Sequence, residues 1–254
     1  MSKLPSNEGE AYGRWCTGCP TCRNTGPSNR ATRLTRGALF FALAGGFDLS
    51  AAKESLTERK RALRSTLIAE RARLSPEERA ARSSIIARRA LELPIVAKAR
   101  IVAVYAPLGT EVDALELASL LGTVRPVYPR SVPGTRRLAF ARCSPRELVR
   151  GPLGAREPPA SAPAVDPADI DCVILPGIGF SEGGHRLGRG GGYYDATLRD
   201  MARARRVGLA FDVQLLPQIP SEPHDARLDA IVTESRTLTF PREASPPLAP
   251  PPAP

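Results

Sequence analysis

The sequence predicts an α/β layer fold in a single domain, with a mostly parallel sheet flanked by helices. Three observations predict it. Short apolar runs of strand length alternate with helix-period segments between about residues 53 and 240. The 254 residues suit one domain of ordinary size plus tails. An apolar content of 42 % is enough for a real core.

Residues 1–52 show no sustained period and read as a disordered extension outside the fold. Leu56, Leu63, Leu67 and Leu74 then fall on one helical stripe. "SPEE" (75–78) starts a second helix, with Ser75 as N-cap, Pro76 in the first turn and Glu78 completing a capping box. "RIVAVYA" (100–106) reads as a buried strand, and "TEVDALELASLL" (110–121) as a helix capped by Thr110. Short strands follow around Val127 and over 138–140. "DCVILPGIGF" (171–180) is a buried strand broken at Pro176–Gly177. "YYDATLRDMARA" (193–204) is helical, and the strands "RVGLAF" (206–211) and "LDAIVTE" (228–234) complete the set. The Pro-rich tail over 241–254 forms neither a helix nor a central strand. In such sheets ligands sit beyond the C-terminal ends of the strands.

The formal charge is +10, and Lys3, Lys53, Lys60 and Lys98 are the only lysines among 36 basic residues. An arginine bias with abundant Ala and Pro reflects genome composition as readily as function. A basic balance still favours anionic partners. A nucleic-acid binder would interleave exposed aromatics with a basic face, whereas here arginines are spread throughout. No uncharged apolar run is long enough to span a membrane. "GALFFALAGGF" (37–47) follows several arginines as a signal segment would, but no convincing cleavage site follows it. Cys16, Cys19 and Cys22 could begin a metal site, yet no fourth ligand is near, and reduced thiols in a cytoplasmic protein are the simpler reading. Cys172 lies in an apolar run and reads as core. With His185 and His224 the only histidines, a multi-histidine zinc site is not expected.

The most informative stretch is "RLGRGGGYYD" (186–195). Glycines between a strand and a helix let the backbone adopt positive φ and approach a ligand. Their N–H groups make an anion site to which Arg186 and Arg189 add charge. The loop is neither a Walker A nor a dinucleotide fingerprint, since no Gly-Lys-Ser/Thr ends it and its glycines are bunched. A mobile surface loop is the competing reading, and Tyr193 and Tyr194 weaken it, because a linker has no need of two aromatics. Lys60 and Arg64 share a helix face at a like-charge spacing that costs about 0.2–0.5 kcal/mol, which a bound anion would offset. Local evidence alone favours an exposed basic face. Asp195 and Asp225 are candidate magnesium carboxylates. A helix-dipole acid and a turn residue are their competing readings, and Glu111 shares the first because it opens its helix.

Together these stretches resemble the 5-formyltetrahydrofolate cyclo-ligase family. The similarity runs from about Leu56 to Phe240. It rests most on "LPGIGFSEGGHRLGRGGGYYD" (175–195), supported by "KRALR" (60–64), "YAPLGTEVD" (105–113) and "GLAFDVQLLPQIPSEPHDARLDAIVTE" (208–234). The resemblance implies ATP-dependent, magnesium-requiring closure of 5-formyltetrahydrofolate, or its polyglutamates, to 5,10-methenyltetrahydrofolate with release of ADP and phosphate. It implies that ATP is held by Lys60 and Arg64 and by the run Arg186, Leu187, Gly188, Arg189, Gly190, Gly191, Gly192, Tyr193 and Tyr194. Ala106 and Glu111 would contact the folate, as would Arg189, Gly190, Gly191, Gly192 and Tyr193, with Arg189 at a position that varies in the family. Asp195 and Asp225 would hold Mg2+.

The implied chemistry fits these residue types. The formyl oxygen attacks the γ-phosphate, N10 adds to the activated carbon of the iminium phosphate, and phosphate leaves. Such transfer needs positioning and charge neutralisation more than a strong base. No residue is assigned to proton transfer, and Glu111 orients the pterin. The expected protein is a cytoplasmic monomer with neither nucleic acid nor membrane as partner. A nucleotide-binding relative with a different folate substrate, or none, is the rival reading. The departure from the family is the segment before Lys60, about 50 residues longer than usual, and a true start nearer Leu56 is the favoured explanation.

Overall fold

Residues 55–222 and 225–242 are described by the computed structural model, all within the unit Lys53–Pro254. The expected extension over 1–52 with its three cysteines, His224 and all but the first two residues of the Pro-rich tail lie outside the described residues.

Two capped helices open the fold. Helix α1 (Leu56–Ala72) begins at a capping box between Ser55 and Glu58. Helix α2 (Pro76–Glu92) begins at the expected box, in which Ser75 Oγ accepts from the Glu78 N–H at 3.1 Å and Glu78 accepts from the Ser75 N–H at 2.8 Å. Each box satisfies two amides that the helix itself leaves unbonded. Ser75→Ala is therefore expected to lower stability by about 1 kcal/mol in urea unfolding, and an unchanged midpoint would mean the box contributes nothing.

After a short α3 (Pro94–Ala97), most of the elements are strands, with helices set among them. They are β1 (Ile101–Ala103), α4 (Ala114–Leu120), β2 (Arg125–Ser131), β3 (Leu138–Arg142), β4 (Val149–Arg150), β5 (Arg156–Glu157), β6 (Ala164–Val165) and β7 (Cys172–Leu175). Then come β8 (Gly179–Ser181), β9 (Arg186–Leu187), α5 (Tyr193–Leu198), β10 (Arg205–Leu209), β11 (Leu215–Leu216), β12 (Ala230–Val232) and β13 (Thr237–Thr239). The main sheet has the order β13-β12-β10-β7-β1-β2-β3-β6. The run β12-β10-β7-β1-β2 is parallel, and β13, β3 and β6 pair antiparallel with their neighbours. The α/β layer fold with a mostly parallel sheet is thus what forms.

Parallel strands covered on both faces bury every residue, so they read as continuous apolar runs. Val102 and Val104 enter one core layer with Ile86, Ala90 and Leu117 from α2 and α4. Ala103 between them enters the opposite layer with Leu198 and Met201. Cys172 and Ile174 likewise face the first layer, and Val173 and Leu175 the second. The strand period of two produces this division.

Two helices differ from expectation, and the strand expected over 171–180 breaks where expected but divides between two sheets. The helix expected over 110–121 starts at Ala114, and its cap is Asp113, whose carboxylate accepts from the Leu115 N–H at 3.0 Å. Asp caps as well as Thr does, and residues 108–112 are drawn instead into a loop around Glu111, which accepts from the Leu108 N–H at 2.9 Å. The helix expected over 193–204 stops at Leu198, because the Asp200 and Met201 amides bond three residues back and tuck Met201 and Ala204 into the core. Finally, 171–180 divides into β7 in the main sheet and β8 in a three-stranded sheet of order β11-β8-β9. Pro176 has no N–H for the ladder. A side chain at Gly177 would meet the Phe180 ring at 2.5 Å, so only glycine fits the corner.

Candidate functional site

A cavity of about 330 Å³ opens beyond the C-terminal ends of β1 and β7. Tyr105 and Ala106 follow β1 into its wall, and Pro176 and Gly177 follow β7. The segment from Gly188 to Asp195 forms another wall, with Arg186 behind it. Glu111 and Leu108 complete the side next to α4, and Leu153 and Ala155, from the turn between β4 and β5, lie opposite with Arg156 of β5.

The glycine loop is held by arginines at several points. Arg64 of α1 donates through Nε to the Gly188 carbonyl at 2.8 Å, and its guanidinium carbon lies 3.6 Å from where a Gly190 Cβ would stand. Arg189 donates through Nε and Nη2 to Glu111 Oε1, both at 3.0 Å. The Arg186 side chain, only 5 % exposed, donates to Asp195 at 2.8 Å, and its guanidinium stands 5.7 Å from the centre of the Tyr194 ring. Leu187 is the exception in this run. It is buried in β9, where its carbonyl accepts from the Ile178 N–H at 2.8 Å, so it anchors the loop from below and does not line the cavity.

Positive φ occurs at Gly190 (99°) and Gly192 (72°), not at Gly191. Gly191 between them is constrained differently. A Cβ there would meet the Tyr193 ring at 3.0 and 3.2 Å.

Lys60 and Arg64 do share a helix face, but Lys60 does not line the cavity. Its ammonium donates to Glu222 at 2.7 Å and to Asp225 at 3.0 Å, and Asp225 also accepts from the Glu222 N–H at 2.8 Å. Burial alone would lower the Lys60 pKa; the bonds to Glu222 and Asp225 outweigh it and hold the ammonium above its usual value. The like-charge spacing on α1 is therefore offset by a carboxylate pair at one end and a carbonyl at the other. Asp195 and Asp225 belong to separate ion pairs, one on the cavity wall and one beside α1. Among the described residues no group of three or more His, Cys, Asp or Glu is placed to hold a metal.

Glu111 is not the first-turn acid that its sequence position suggested. It lies in the loop before α4, with its side chain 6 % exposed and bonded to Arg189 and the Leu108 amide. Its orientation is set by Arg189 from the glycine loop and by the Leu108 amide of its own loop.

The family model described as the 5-formyltetrahydrofolate cyclo-ligase family matches residues 56–234. The chain belongs to the 5-formyltetrahydrofolate cyclo-ligase family. Among its curated relatives is the 5-formyltetrahydrofolate cyclo-ligase of Mycolicibacterium smegmatis, 33 % identical over 147 residues, covering 55 % of this chain and 76 % of that one. The Escherichia coli K12 protein of the same name is 36 % identical over 150 residues, 56 % of this chain and 82 % of its own length. The solved 5,10-methenyltetrahydrofolate synthetase of Aquifex aeolicus superposes with a TM-score of 0.63 at 30 % identity, covering 74 % of this chain and 97 % of that structure.

Sequence reasoning missed Arg71. Its side chain is buried behind Glu111, donating to Thr110 Oγ1 at 2.9 Å and to the Gly177 carbonyl at 3.4 Å. Burial pushes its pKa down, and the Glu111 carboxylate opposes that shift. A signal existed: Leu67 and Leu74 of the apolar stripe bracket an arginine one turn along, on the inward face. Burial also pushes the Tyr105 and Tyr194 phenols well above their usual range, so both stay neutral and act as walls.

Proposed function

We propose that this chain closes 5-formyltetrahydrofolate to 5,10-methenyltetrahydrofolate, consuming ATP and releasing ADP and phosphate. The observation that carries this reading is the cavity itself. A positive-φ glycine loop set among Arg64, Arg186 and Arg189 adjoins neutral aromatic walls and one oriented carboxylate, Glu111. That is a phosphate cradle next to a slot for a flat heterocycle.

In this reading the ATP phosphates lie against the backbone of Gly188, Arg189, Gly190, Gly191 and Gly192, near Arg64 and Arg186, with Leu187 anchoring the run. Lys60 borders the nucleotide from α1. Tyr193 and Tyr194 wall the ligands, and Ala106, Glu111 and Arg189 contact the folate. The formyl oxygen is presented in line to the γ-phosphate, and N10 then displaces phosphate from the activated carbon. The residues position both substrates and balance charge; proton transfer is not required of a protein side chain in the phosphoryl step. Mg2+ would be held by Asp195, a carboxylate on the cavity wall that phosphate oxygens could join, and by Asp225, which does not line that cavity and would have to leave its ion pair with Lys60. When bound, the ion neutralises charge on the transferring phosphoryl group. We place the activity in the body 53–240 and the protein in the cytoplasm as a monomer; among the described residues no helix is long and apolar enough to cross a membrane.

The decisive test follows methenyl absorbance from 5-formyltetrahydrofolate with and without ATP and magnesium. ATP hydrolysis with no rise in methenyl absorbance would sink the folate assignment. Lys60→Ala is expected to raise KM for ATP about tenfold, a loss of about 1.4 kcal/mol, with a smaller change in kcat. An unchanged KM would reduce Lys60 to a tether for Glu222 and Asp225. A chain beginning at Ser55 is expected to keep full turnover and the same Tm. A stability loss above about 1 kcal/mol would place residues before it against the body.

A further inference from the structure

Helix α1 reaches the walls of the cavity at two places, two turns apart. Arg64 grips the glycine loop through the Gly188 carbonyl. Arg71, 3 % exposed, donates through Nε to Thr110 Oγ1 at 2.9 Å and through Nη1 to the Gly177 carbonyl at 3.4 Å. The second contact is long and redundant, because Gln214 Nε2 holds the same carbonyl at 2.9 Å and that of Ile178 at 3.0 Å. The first has no substitute: among the described residues Arg71 is the only hydrogen-bond partner of the Thr110 hydroxyl. Arg71 makes no ion pair among the described residues. Burial works against its charge, and the Glu111 carboxylate is the largest influence opposing that. For the fold alone, an apolar residue on this inward face would serve at least as well.

The loop that Arg71 holds has an alternative. Thr110 and Asp113 are both good caps, and a helix starting at Thr110 would draw Glu111 into its first turn. In the structure Gly109 turns the chain at φ of 65° and the Tyr105 hydroxyl donates to the Val112 carbonyl at 2.9 Å. Glu111 then spans the Leu108 amide and Arg189. A capping threonine accepts from an amide two or three positions along the chain. Here Thr110 Oγ1 accepts from Arg71 instead, so the arginine favours the loop over the longer helix.

Resting on the folate reading above, we propose that Arg71 is a positioning residue for that substrate: through Thr110 it keeps Glu111 in the loop that lines the cavity. Kinetics of the full chain, followed by methenyl absorbance, test it. Arg71→Gln is expected to raise KM for 5-formyltetrahydrofolate about tenfold and KM for ATP less than about twofold. Arg71→Lys keeps a donor toward Thr110 and should recover part of the loss. Thr110→Val removes the acceptor and leaves the arginine in place. It should act as Arg71→Gln does, and it decides the matter if Arg71→Gln fails to fold. Glu111→Gln should also raise KM for the folate, and adding Thr110→Val to it should change that KM by less than about twofold, since both act through one carboxylate. Hydrogen exchange at the Leu108 amide, which Glu111 holds, reads the same link with no substrate bound and should be about tenfold faster in Thr110→Val. The proposal is overturned if Thr110→Val folds with unchanged KM for the folate, if KM rises equally for both substrates, if the Thr110 and Glu111 effects multiply, or if exchange at Leu108 is unaltered. A parent chain that forms no methenyl product would count against the folate reading instead, and the Leu108 amide would then decide whether Arg71 holds Glu111.

Discussion

Gly190→Val is expected to lower kcat/KM for methenyl formation by about 100-fold or more, with the chain still folded. The backbone at Gly190 has φ of 99°, beyond the left-handed region that even Asn tolerates. A β-branched residue there must rotate to negative φ or bear a strain of about 1–3 kcal/mol. Rotation would pull the loop away from Arg64, which holds the neighbouring Gly188 carbonyl at 2.8 Å and lies in van der Waals range of the new Cβ. The proposed phosphate cradle would therefore be lost before the core is disturbed. Gly191→Val makes the contrast. Its φ is ordinary, and the added side chain must instead displace the Tyr193 ring. That substitution should act mainly through the folate wall and raise KM for folate more than KM for ATP. Near-UV circular dichroism and full kinetics on both variants check this. A folded Gly190→Val enzyme with ordinary turnover would leave the loop as a mere connection.

That contrast also shows where the sequence is legible. Bunched glycines announce a loop that approaches a ligand, but which glycine carries positive φ depends on how the chain leaves β9 and enters α5. The capping box at Ser75 and the central strands were readable because their signals are local: a side chain three residues from its partner, or an unbroken apolar run; the box at Ser55 is as local but went unread. The short strands β4, β5, β6, β9, β11 and β13 were not, since two or three residues carry no period. The start of α4 was misplaced because Thr110 and Asp113 are equally good caps, and a distant side chain chose between them: Arg71 takes Thr110. The site followed the same division. Residue types and spacing marked Lys60, Arg64 and Arg186, but their partners lie far along the chain, with Asp225 165 positions from Lys60 and Gly188 124 from Arg64. Arg71 went unnoticed because a buried arginine looks like one more basic residue in an arginine-rich chain.

Asp195→Asn is expected to reduce turnover by about 100-fold or more. Read as a first-turn acid, Asp195 would cost only about 0.3–1 kcal/mol of stability when neutralised. The structure changes that expectation, because Asp195 bonds the nearly buried Arg186 at 2.8 Å, and Arg186 also has a buried Nε without a partner. Asn keeps an acceptor oxygen, so the hydrogen bond survives and the charge compensation does not. Breaking a fully buried pair costs about 3–5 kcal/mol; Asp195 is a third exposed, and solvent screening reduces that to about 1–2 kcal/mol. Stability and turnover thus report on different roles of one carboxylate. If Asp195 serves only to hold Arg186, Arg186→Gln should reproduce its kinetic effect, and magnesium should rescue neither variant. If it also holds Mg2+, turnover of Asp195→Asn should recover in part as magnesium is raised, while Arg186→Gln should not respond. Asp225→Asn extends the argument. It removes a partner of Lys60 as well as a possible metal carboxylate, so its effect on KM for ATP should exceed that of Asp195→Asn. The double Asn variant should lose less than the product of the single losses if one ion joins the two residues. Losses that multiply, with no response to magnesium, would mean that the two carboxylates act only through Arg186 and Lys60.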